Sequence, residues 1–335
     1  MSPADGGQLQ PLLDSHDDHD GDEGFDLEKR QELEAALVRK VDKRMSILVL
    51  IYILNYIDRN NAAAARLRGF QKDLDLTDAQ FATVLSVLYI GYTMMQIPSN
   101  MFLNHVGKPS IYLPVCMIIW GAISVGTGFT TNYFGALCTR FLLGFVEAAF
   151  YPGALFLLSK WYKRSELSQR MAYLSCGSLL SNAFGALIAS GILDAMEGVL
   201  GQAAWRWLFF VEGSLTIIVA FMAIYILPDF PETTTGWLTP TEQALAVRRM
   251  VEDAGGHTGL DIPGKSGQFH GFSLAIRDKK VWFLALSLIC FVISLSFNAY
   301  FPTLTATLGF SPTITLLLCS PPWLVATVIS LYNAR

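Results

Sequence analysis

The 335-residue sequence predicts an all-α integral membrane protein, on the strength of its composition and of the length of its apolar runs. The chain is 52% hydrophobic and 16% charged, whereas soluble domains contain about 25% charged residues. Apolar runs of about 20 residues, long enough for a helix to cross roughly 30 Å of hydrocarbon, recur along the chain. They predict eight spans, at approximately residues 45–65, 79–101, 111–130, 133–157, 171–193, 207–227, 281–303 and 312–332.

The chain before the first span is polar and acidic. Residues 1–44 contain 12 of the 28 acidic residues and no apolar run, and they lack the basic and apolar regions of a signal peptide. We predict that residues 1 to about 25 form a disordered, solvated tail. The helical spacing of Leu33, Leu37 and Val41 predicts an amphipathic helix that leads into the membrane.

Lysines and arginines next to the spans predict the orientation of the chain. Fifteen of them lie on the side of the N-terminus, and four lie on the opposite side. Because basic residues are enriched in cytoplasmic loops, the N-terminus is predicted to be cytoplasmic. The predicted organisation is a tail and lead-in helix (1–44), six transmembrane helices (45–227), a cytoplasmic linker (228–280) with a helix capped by Thr239, and two further helices (281–335).

The ionisable residues well inside the predicted spans are Asp58, Arg59, Arg140, Glu147 and Glu212. Seven residues separate Arg140 from Glu147, which places both on one face of a helix, roughly 10 Å apart along its axis. Asn55 precedes Asp58 and Arg59 by three and four residues, so these three side chains also share one side of a helix. An ionised group at the bilayer centre costs on the order of 3 kcal/mol, so both faces are predicted to line a bundle interior or a water-filled path.

These buried charges allow two interpretations. They form structural bonds between helices, or they line a pathway for substrate and protons. We favour the pathway, because Arg140 and Glu147 are too far apart for a direct bond within one helix, although bonding between helices stays open. Glu212 lies near the predicted outer end of its span and is expected to pair with Arg206 or with interfacial water.

An enzymatic function is not predicted. The sequence contains no phosphate-binding glycine loop, no HExxH and no GxSxG motif. Its five cysteines fall within predicted spans at unrelated spacings, which indicates neither a disulfide framework nor a metal site. We therefore predict no cofactor, no metal and no nucleic-acid partner.

The connection between the second and third spans, residues 98–109, resembles a signature of the major facilitator superfamily, G-x-L-x-D-R-x-G-R-R. Gly107 and Lys108 match the end of that pattern. Asn104 replaces the aspartate on which the family's charge lock depends, and two further positions also differ. We predict a cytoplasmic gate formed by Asn104, Gly107, Lys108 and Glu166, with a neutral hydrogen bond between Asn104 and the loop that contains Glu166.

Four further motifs resemble the anion:cation symporter family of that superfamily, and most closely its fungal permeases for allantoate, nicotinate, pantothenate and similar organic anions. The motifs follow the family's order, at residues 55–61 (NYIDRNN), 140–152 (RFLLGFVEAAFYP), 204–213 (AWRWLFFVEG) and 227–233 (LPDFPET). The resemblance implies the major facilitator fold, with a complete six-helix N-terminal half and the first two helices of the C-terminal half.

The resemblance also implies roles for the buried charges. In the family the acid of the first span and the glutamate of the fourth serve in proton coupling, which carries over to Asp58 and Glu147. The family's arginines bind the anion, which carries over to Arg59 and Arg140. The chemistry agrees, because a guanidinium stays charged and grips a carboxylate with two parallel hydrogen bonds. We expect proton-coupled import of a small organic anion by alternating access, with Asn55 lining the same site.

The second half of the site is expected at the end of the seventh span, where Asn298 and Tyr300 are candidate substrate contacts. The resembled fold has twelve helices, of which this sequence contains eight. The alternatives to a working carrier are therefore a truncated, non-transporting fragment and a nutrient sensor derived from a transporter. A monomer in the plasma membrane is the expected state.

Overall fold

The computed structural model describes residues 22–234, 236–253, 276–295 and 300–333, in which the regular elements are helices. These are α1 (Asp22–Arg66), α2 (Phe70–Asp73), α3 (Asp78–Val106), α4 (Pro109–Thr127), α5 (Tyr133–Glu147), α6 (Phe150–Trp161), α7 (Arg164–Ala195), α8 (Ala204–Ile226), α9 (Pro240–Asp253), α10 (Lys279–Leu295), α11 (Phe301–Ala306), α12 (Pro312–Leu318) and α13 (Ser320–Asn333). The predicted all-helical fold class is confirmed.

Six segments of the described chain are long and apolar enough to cross a membrane. They are α3, α4, the α5–α6 pair, α7, α8 and Thr313–Ser330, which correspond to the second to sixth and the eighth predicted spans. The first predicted span lies within α1, where Asp58 and Arg59 interrupt the apolar run. The seventh begins in α10, which is 17 residues long and ends at Leu295, eight residues before the predicted end of the span.

The most extensive helix contacts join α4 to α8, α3 to α5 and α1 to α7. This pattern fits two equivalent repeats of three spans each. One repeat contains α1, α3 and α4, and the other contains α5–α6, α7 and α8. If the two repeats are exchanged, the contact between α3 and α5 becomes the contact between α7 and α1, and the contact between α4 and α8 is unchanged. Internal repeats of this kind are common in secondary transporters. They place α1 and α5, the helices that contain Arg59 and Arg140, in equivalent positions.

Glycines permit the close approach of α3 and α5. A Cβ atom on Gly144 would lie 2.0 Å from the carbonyl oxygen of Leu88, and one on Gly91 would lie 2.4 Å from that of Phe141. Small residues let membrane helices pack backbone against backbone. Because the opposing atoms belong to the backbone, any larger residue must push the two helices apart.

We expect Gly144→Ala to destabilise the bundle by about 1–3 kcal/mol, the usual cost of overpacking. Thermal unfolding in detergent, followed by circular dichroism, would measure this loss. Gly126→Ala is the matched control, because a Cβ atom on Gly126 meets no atom within 4 Å. Equal stability of the two variants would contradict the close contact between α3 and α5.

The fourth predicted span consists of two helices, α5 and α6, separated at Ala148 and Ala149. Pro152 explains the break, because proline lacks the N–H that would bond the carbonyl of Ala148 and its ring crowds that carbonyl. The eighth predicted span is likewise divided at Cys319, ahead of a pair of prolines. Its two helices, α12 and α13, pack against α7.

The lead-in is part of the continuous helix α1, which begins at Asp22 and enters the first span without a break. The prediction that the disordered tail extends to about residue 25 is therefore wrong for residues 22–25. Leu37 and Val41 are each 1% exposed, whereas Leu33 is 52% exposed. The apolar stripe of the lead-in thus packs on the bundle from Leu37 onward.

The linker helix α9 begins with a capping box at Thr239. The Thr239 hydroxyl accepts the N–H of Glu242 at 3.2 Å, and the Glu242 carboxylate accepts the N–H of Thr239 at 3.0 Å. This exchange satisfies two backbone donors that the first turn of a helix leaves unpaired. The predicted threonine cap is therefore present, and α9 packs against α1 and α6.

Candidate substrate and proton site

The structure joins the charged residues of α1 and α5 across the bundle. Arg59 donates from Nε and Nη2 to one carboxylate oxygen of Glu147, at 3.1 and 3.0 Å. The Glu147 side chain is fully buried, and the Arg59 side chain is 11% exposed. In this conformation these two residues thus form the bond between helices that sequence analysis left open.

Arg140 lies beside this pair with part of its guanidinium unused. Its Nη1 donates to the backbone carbonyls of Asp58 and Arg59, at 3.2 and 3.4 Å, so the two arginines share one site. Its Nε and Nη2 are buried and have no hydrogen-bond partner among the described residues. These two nitrogens form one edge of the planar guanidinium, which is the geometry that holds a carboxylate through two parallel hydrogen bonds.

Asp58 is 1% exposed, and two hydroxyl groups hold its carboxylate. Ser124 of α4 donates to Oδ1 and Thr216 of α8 donates to Oδ2, each at 3.0 Å. The roles of these two residues could not be predicted from the sequence. A single serine or threonine in an apolar run forms no recognisable motif, and its partner depends on how the helices pack. The site therefore draws on α1, α4, α5 and α8.

Tyrosines surround the guanidinium of Arg59. Its Cζ lies 5.2 Å from the ring centroid of Tyr56 and 4.7 Å from that of Tyr92. Next to Tyr56, the ring of Tyr52 stacks on Tyr151 with the centroids 5.2 Å apart. Aromatic faces attract cations, so these rings help to stabilise a charge that the bundle shields from water.

The other predicted substrate contacts differ in their position. Asn55 is 2% exposed, and its amide nitrogen has no hydrogen-bond partner in the described part of the chain. Tyr300 directly precedes α11 and is 44% exposed. Between described residues, no hydrogen bond links Tyr300 to the buried charges. Asn298 lies outside the described residues, so both second-half contacts stay predictions.

Glu212 does not form the expected pair with Arg206. Glu212 is 2% exposed, whereas Arg206 donates to the carbonyl of Gly128 at 2.7 Å and stacks on the ring of Trp205. Six helical positions rotate a side chain by about 600°, so the two residues point in different directions from α8. The expected pairing is therefore wrong, and Glu212 is a buried residue of the bundle.

Three of the predicted gate residues lie at the junction of α3 and α4, whereas Glu166 lies in the first turn of α7. Gly107 ends α3 in the left-handed conformation, with φ of 66°, and Lys108 directly precedes α4. Asn104 is exposed. Glu166 accepts hydrogen bonds from Arg249 of α9 and from a backbone N–H of its own loop. Among the described residues, the predicted bond between Asn104 and the Glu166 loop is not formed in this conformation.

Ion pairs hold α9 and the lead-in of α1 against the predicted cytoplasmic end of the bundle. The pairs are Arg249–Glu166, Lys40–Glu242, Arg30–Glu252, Lys163–Glu34 and Arg170–Asp42. The hydrogen bond from Lys40 and the N–H of Thr239 lower the pKa of Glu242 below its ordinary value. Because the folded state lowers this pKa, the contact stabilises at neutral pH, and its contribution is lost as the pH falls through the folded-state pKa.

We expect Arg249→Glu to release α9 from the bundle. Arg249 is 1% exposed, and its reversal would place two carboxylates together, which costs about 3–5 kcal/mol when a buried pair is broken. Hydrogen exchange of α9 would measure the release. In the wild type, the protection that depends on the Lys40–Glu242 contact should weaken as the pH falls below about 4.3, the ordinary pKa of glutamate, because the folded state lowers the pKa of Glu242. Arg248→Glu is the matched control, because Arg248 lies on the same helix, its side chain is 39% exposed and it pairs with Glu252 within α9. Adding Glu166→Arg to Arg249→Glu should restore protection, and failure to do so would contradict the pairing.

Comparison with known proteins identifies the family. The family model described as Major Facilitator Superfamily matches residues 48–335. The chain belongs to the major facilitator superfamily. Among its superfamily relatives, the MFS transporter prlL of Fungal sp. (strain NRRL 50135) is 34% identical over 306 residues, which cover 88% of this chain and 60% of prlL. A protein of Agrobacterium vitis described as "Putative tartrate transporter" is 31% identical over 261 residues, which cover 78% of this chain and 55% of the relative.

Solved structures show the same superfamily fold. A bacterial homologue of the human lysosomal transporter Spinster, in an inward-facing and unoccupied conformation, matches with a TM-score of 0.62 at 22% identity, over 86% of this chain and 60% of that chain. The proton:xylose symporter XylE matches with a TM-score of 0.60 at 13% identity, over 88% of this chain and 69% of that chain. The major facilitator chain described here spans at most 60% of the length of the two sequence relatives above.

Proposed function

We propose that this superfamily member is a proton-coupled secondary transporter that imports a small organic anion by alternating access. The free edge of Arg140, with Nε and Nη2 buried and unpaired among the described residues, is the observation that supports this proposal most directly. A carboxylate would satisfy both nitrogens and neutralise the charge. The name of the Agrobacterium relative refers to tartrate, which is such a carboxylate.

Protonation of Glu147 is the event that would couple the proton to binding of the anion. Its Oε2 accepts both hydrogen bonds from Arg59, and its Oε1 is buried without a partner in the described chain. Protonation of Glu147 would remove the charge that holds Arg59, and a second guanidinium would then be available to the anion. Proton and anion would each favour the binding of the other, as linkage between two sites requires.

Movement of helices is part of the proposal, because the anion site is closed in this conformation. Arg140 is 1% exposed, and the ring of Phe209 lies 5.2 Å from its guanidinium carbon. An anion can reach the free edge only when the helices around it separate. Rocking of one repeat or half against another around a central site is the usual form of alternating access.

Uptake of radiolabelled carboxylates into proteoliposomes tests the proposal. We expect an acidic exterior to drive accumulation of a carboxylate, and a protonophore to abolish that accumulation. A neutral polyol of similar size is the control substrate. Uptake that does not respond to the pH gradient would contradict the proposed proton coupling. Equal uptake of the polyol would contradict the proposed specificity for anions. Carboxylate binding without uptake would favour the sensor or fragment instead of a carrier.

A further inference from the structure

Glu212 is a buried acid that neither the ion pairs nor the proposed anion site explains. It lies in α8 at 2% exposure, and its two carboxylate oxygens have no hydrogen-bond partner among the described residues. Next to it, α8 and α4 approach so closely that a Cβ atom on Gly213 would lie 2.8 Å from the carbonyl oxygen of Gly121. Glu212 therefore lies beside the close contact between α4 and α8.

No cation of the described chain compensates a negative charge on Glu212. Asp58 is the charged residue that interacts electrostatically with Glu212, and both groups are acids; Asn61 of α1 is its polar neighbour. The described parts of α4 and α7, which also pack on α8, add no titratable group to these surroundings. Arg59 is bound to Glu147, and Arg140 lies beside Asp58. Of the three buried acids in the bundle, Glu212 is thus the one without a counter-charge.

Glu212 lies one helical turn from the hydroxyl that binds Asp58. Thr216 donates to Asp58 at 3.0 Å and follows Glu212 by four residues, so the two residues share a face of α8. In α1, Asn61 follows Asp58 by three residues and reaches the level of Glu212. α1 runs toward, and α8 runs from, the end of the bundle that the distribution of basic residues predicts to be external. Glu212 therefore lies on the outer side of Asp58.

We propose that Glu212 holds a proton on the outer side of the site and passes it to Asp58, a role that rests on the proton coupling of the proposed function. Glu212 is the neutral acid in this conformation, because within the described chain its carboxylate oxygens lack a hydrogen bond and no cation faces it, whereas the hydroxyls of Ser124 and Thr216 stabilise the carboxylate of Asp58. In the transfer, the O–H bond of Glu212 breaks as an O–H bond forms on Asp58. Because Glu212 is closed off from water in this conformation, its carboxylate takes its next proton from external hydronium only after the helices separate.

Infrared spectroscopy of the purified protein tests the protonation state without any transport. The wild type at neutral pH is expected to show the carbonyl stretch of a buried carboxylic acid, and Glu212→Gln is expected to remove such a band. Glu232→Gln, which changes an exposed glutamate, is the matched control and should leave the spectrum unchanged in this region. A carboxylic-acid region that is the same in wild type and Glu212→Gln would overturn the proposal.

Uptake into proteoliposomes tests the passage of the proton. In Glu212→Gln, gradient-driven accumulation of a carboxylate is expected to fall roughly tenfold, within the range typical of coupling between two ligands. Exchange of labelled for unlabelled carboxylate at equal pH should keep its wild-type rate, which shows that the variant is folded and binds anion. Wild-type accumulation in Glu212→Gln would overturn the transfer to Asp58. If the wild type itself ignores the gradient, the proposed coupling fails and the transfer fails with it, whereas the infrared band still reports the proton on Glu212.

Discussion

Arg140→Ala is expected to abolish measurable anion uptake. Removing one partner of a buried, hydrogen-bonded charge pair weakens binding by about 2–5 kcal/mol, which corresponds to a loss of roughly 30-fold or more. Arg140→Lys keeps the charge but cannot present two parallel donors from one plane, so its uptake is expected to be intermediate. Initial rates over a range of anion concentrations would measure both losses.

Arg206→Ala is the matched control for Arg140. Both arginines donate to backbone carbonyls, but Arg206 does so near the start of α8, at Gly128, and has no part in the site. Its removal should leave uptake near the wild-type rate. Thermal unfolding of both variants would separate loss of function from loss of fold. Normal uptake by Arg140→Ala would contradict the anion site.

The ion pair between Arg59 and Glu147 is expected to matter for stability and transport in separable ways. Glu147→Leu leaves a buried arginine without its counter-charge, so the free energy of unfolding should fall by about 3–5 kcal/mol. The double variant Arg59→Met with Glu147→Leu leaves no charge in this pair, and it should regain most of that stability. Thermal unfolding of the single and double variants in detergent would measure the recovery.

Transport by the double variant decides between the two interpretations of the buried charges. If the pair serves the proton and anion pathway, the double variant is stable but shows no gradient-driven uptake. If the pair is a structural bond between helices, the double variant recovers uptake together with stability. A double variant as unstable as Glu147→Leu would contradict the assignment of the lost stability to an uncompensated charge on Arg59.

The helices and the burial of the charges could be predicted because they depend on local sequence. A run of about 20 apolar residues is long enough to cross the bilayer, and it must be helical there because every backbone group must be bonded within lipid. An arginine or glutamate inside such a run must face the protein interior. The low exposure of Arg140 and Glu147 in α5, and of Asp58 in α1, agrees with this argument.

The partners of these charges could not be predicted, because they depend on how each helix is rotated and where it crosses its neighbours. Ser124 and Thr216 are isolated hydroxyls within apolar helices, and they meet Asp58 only after α4 and α8 pack on α1. The expected pairing of Glu212 with Arg206 is wrong for the same reason. Its sequence neighbour Arg206 is six residues away, but the rotation of α8 turns Glu212 inward and directs Arg206 to Gly128.

The sequence by itself determined that this protein is a bundle of membrane helices with arginines and acids inside, since the length and polarity of each run are properties of single segments. Only the tertiary structure decided that Arg59 binds Glu147, that one edge of Arg140 is left without a partner in the described chain, and that Glu212 has no counter-charge there. The physical reason is that a buried charge requires a partner of opposite sign or a proton, but helix packing alone selects which group is within reach.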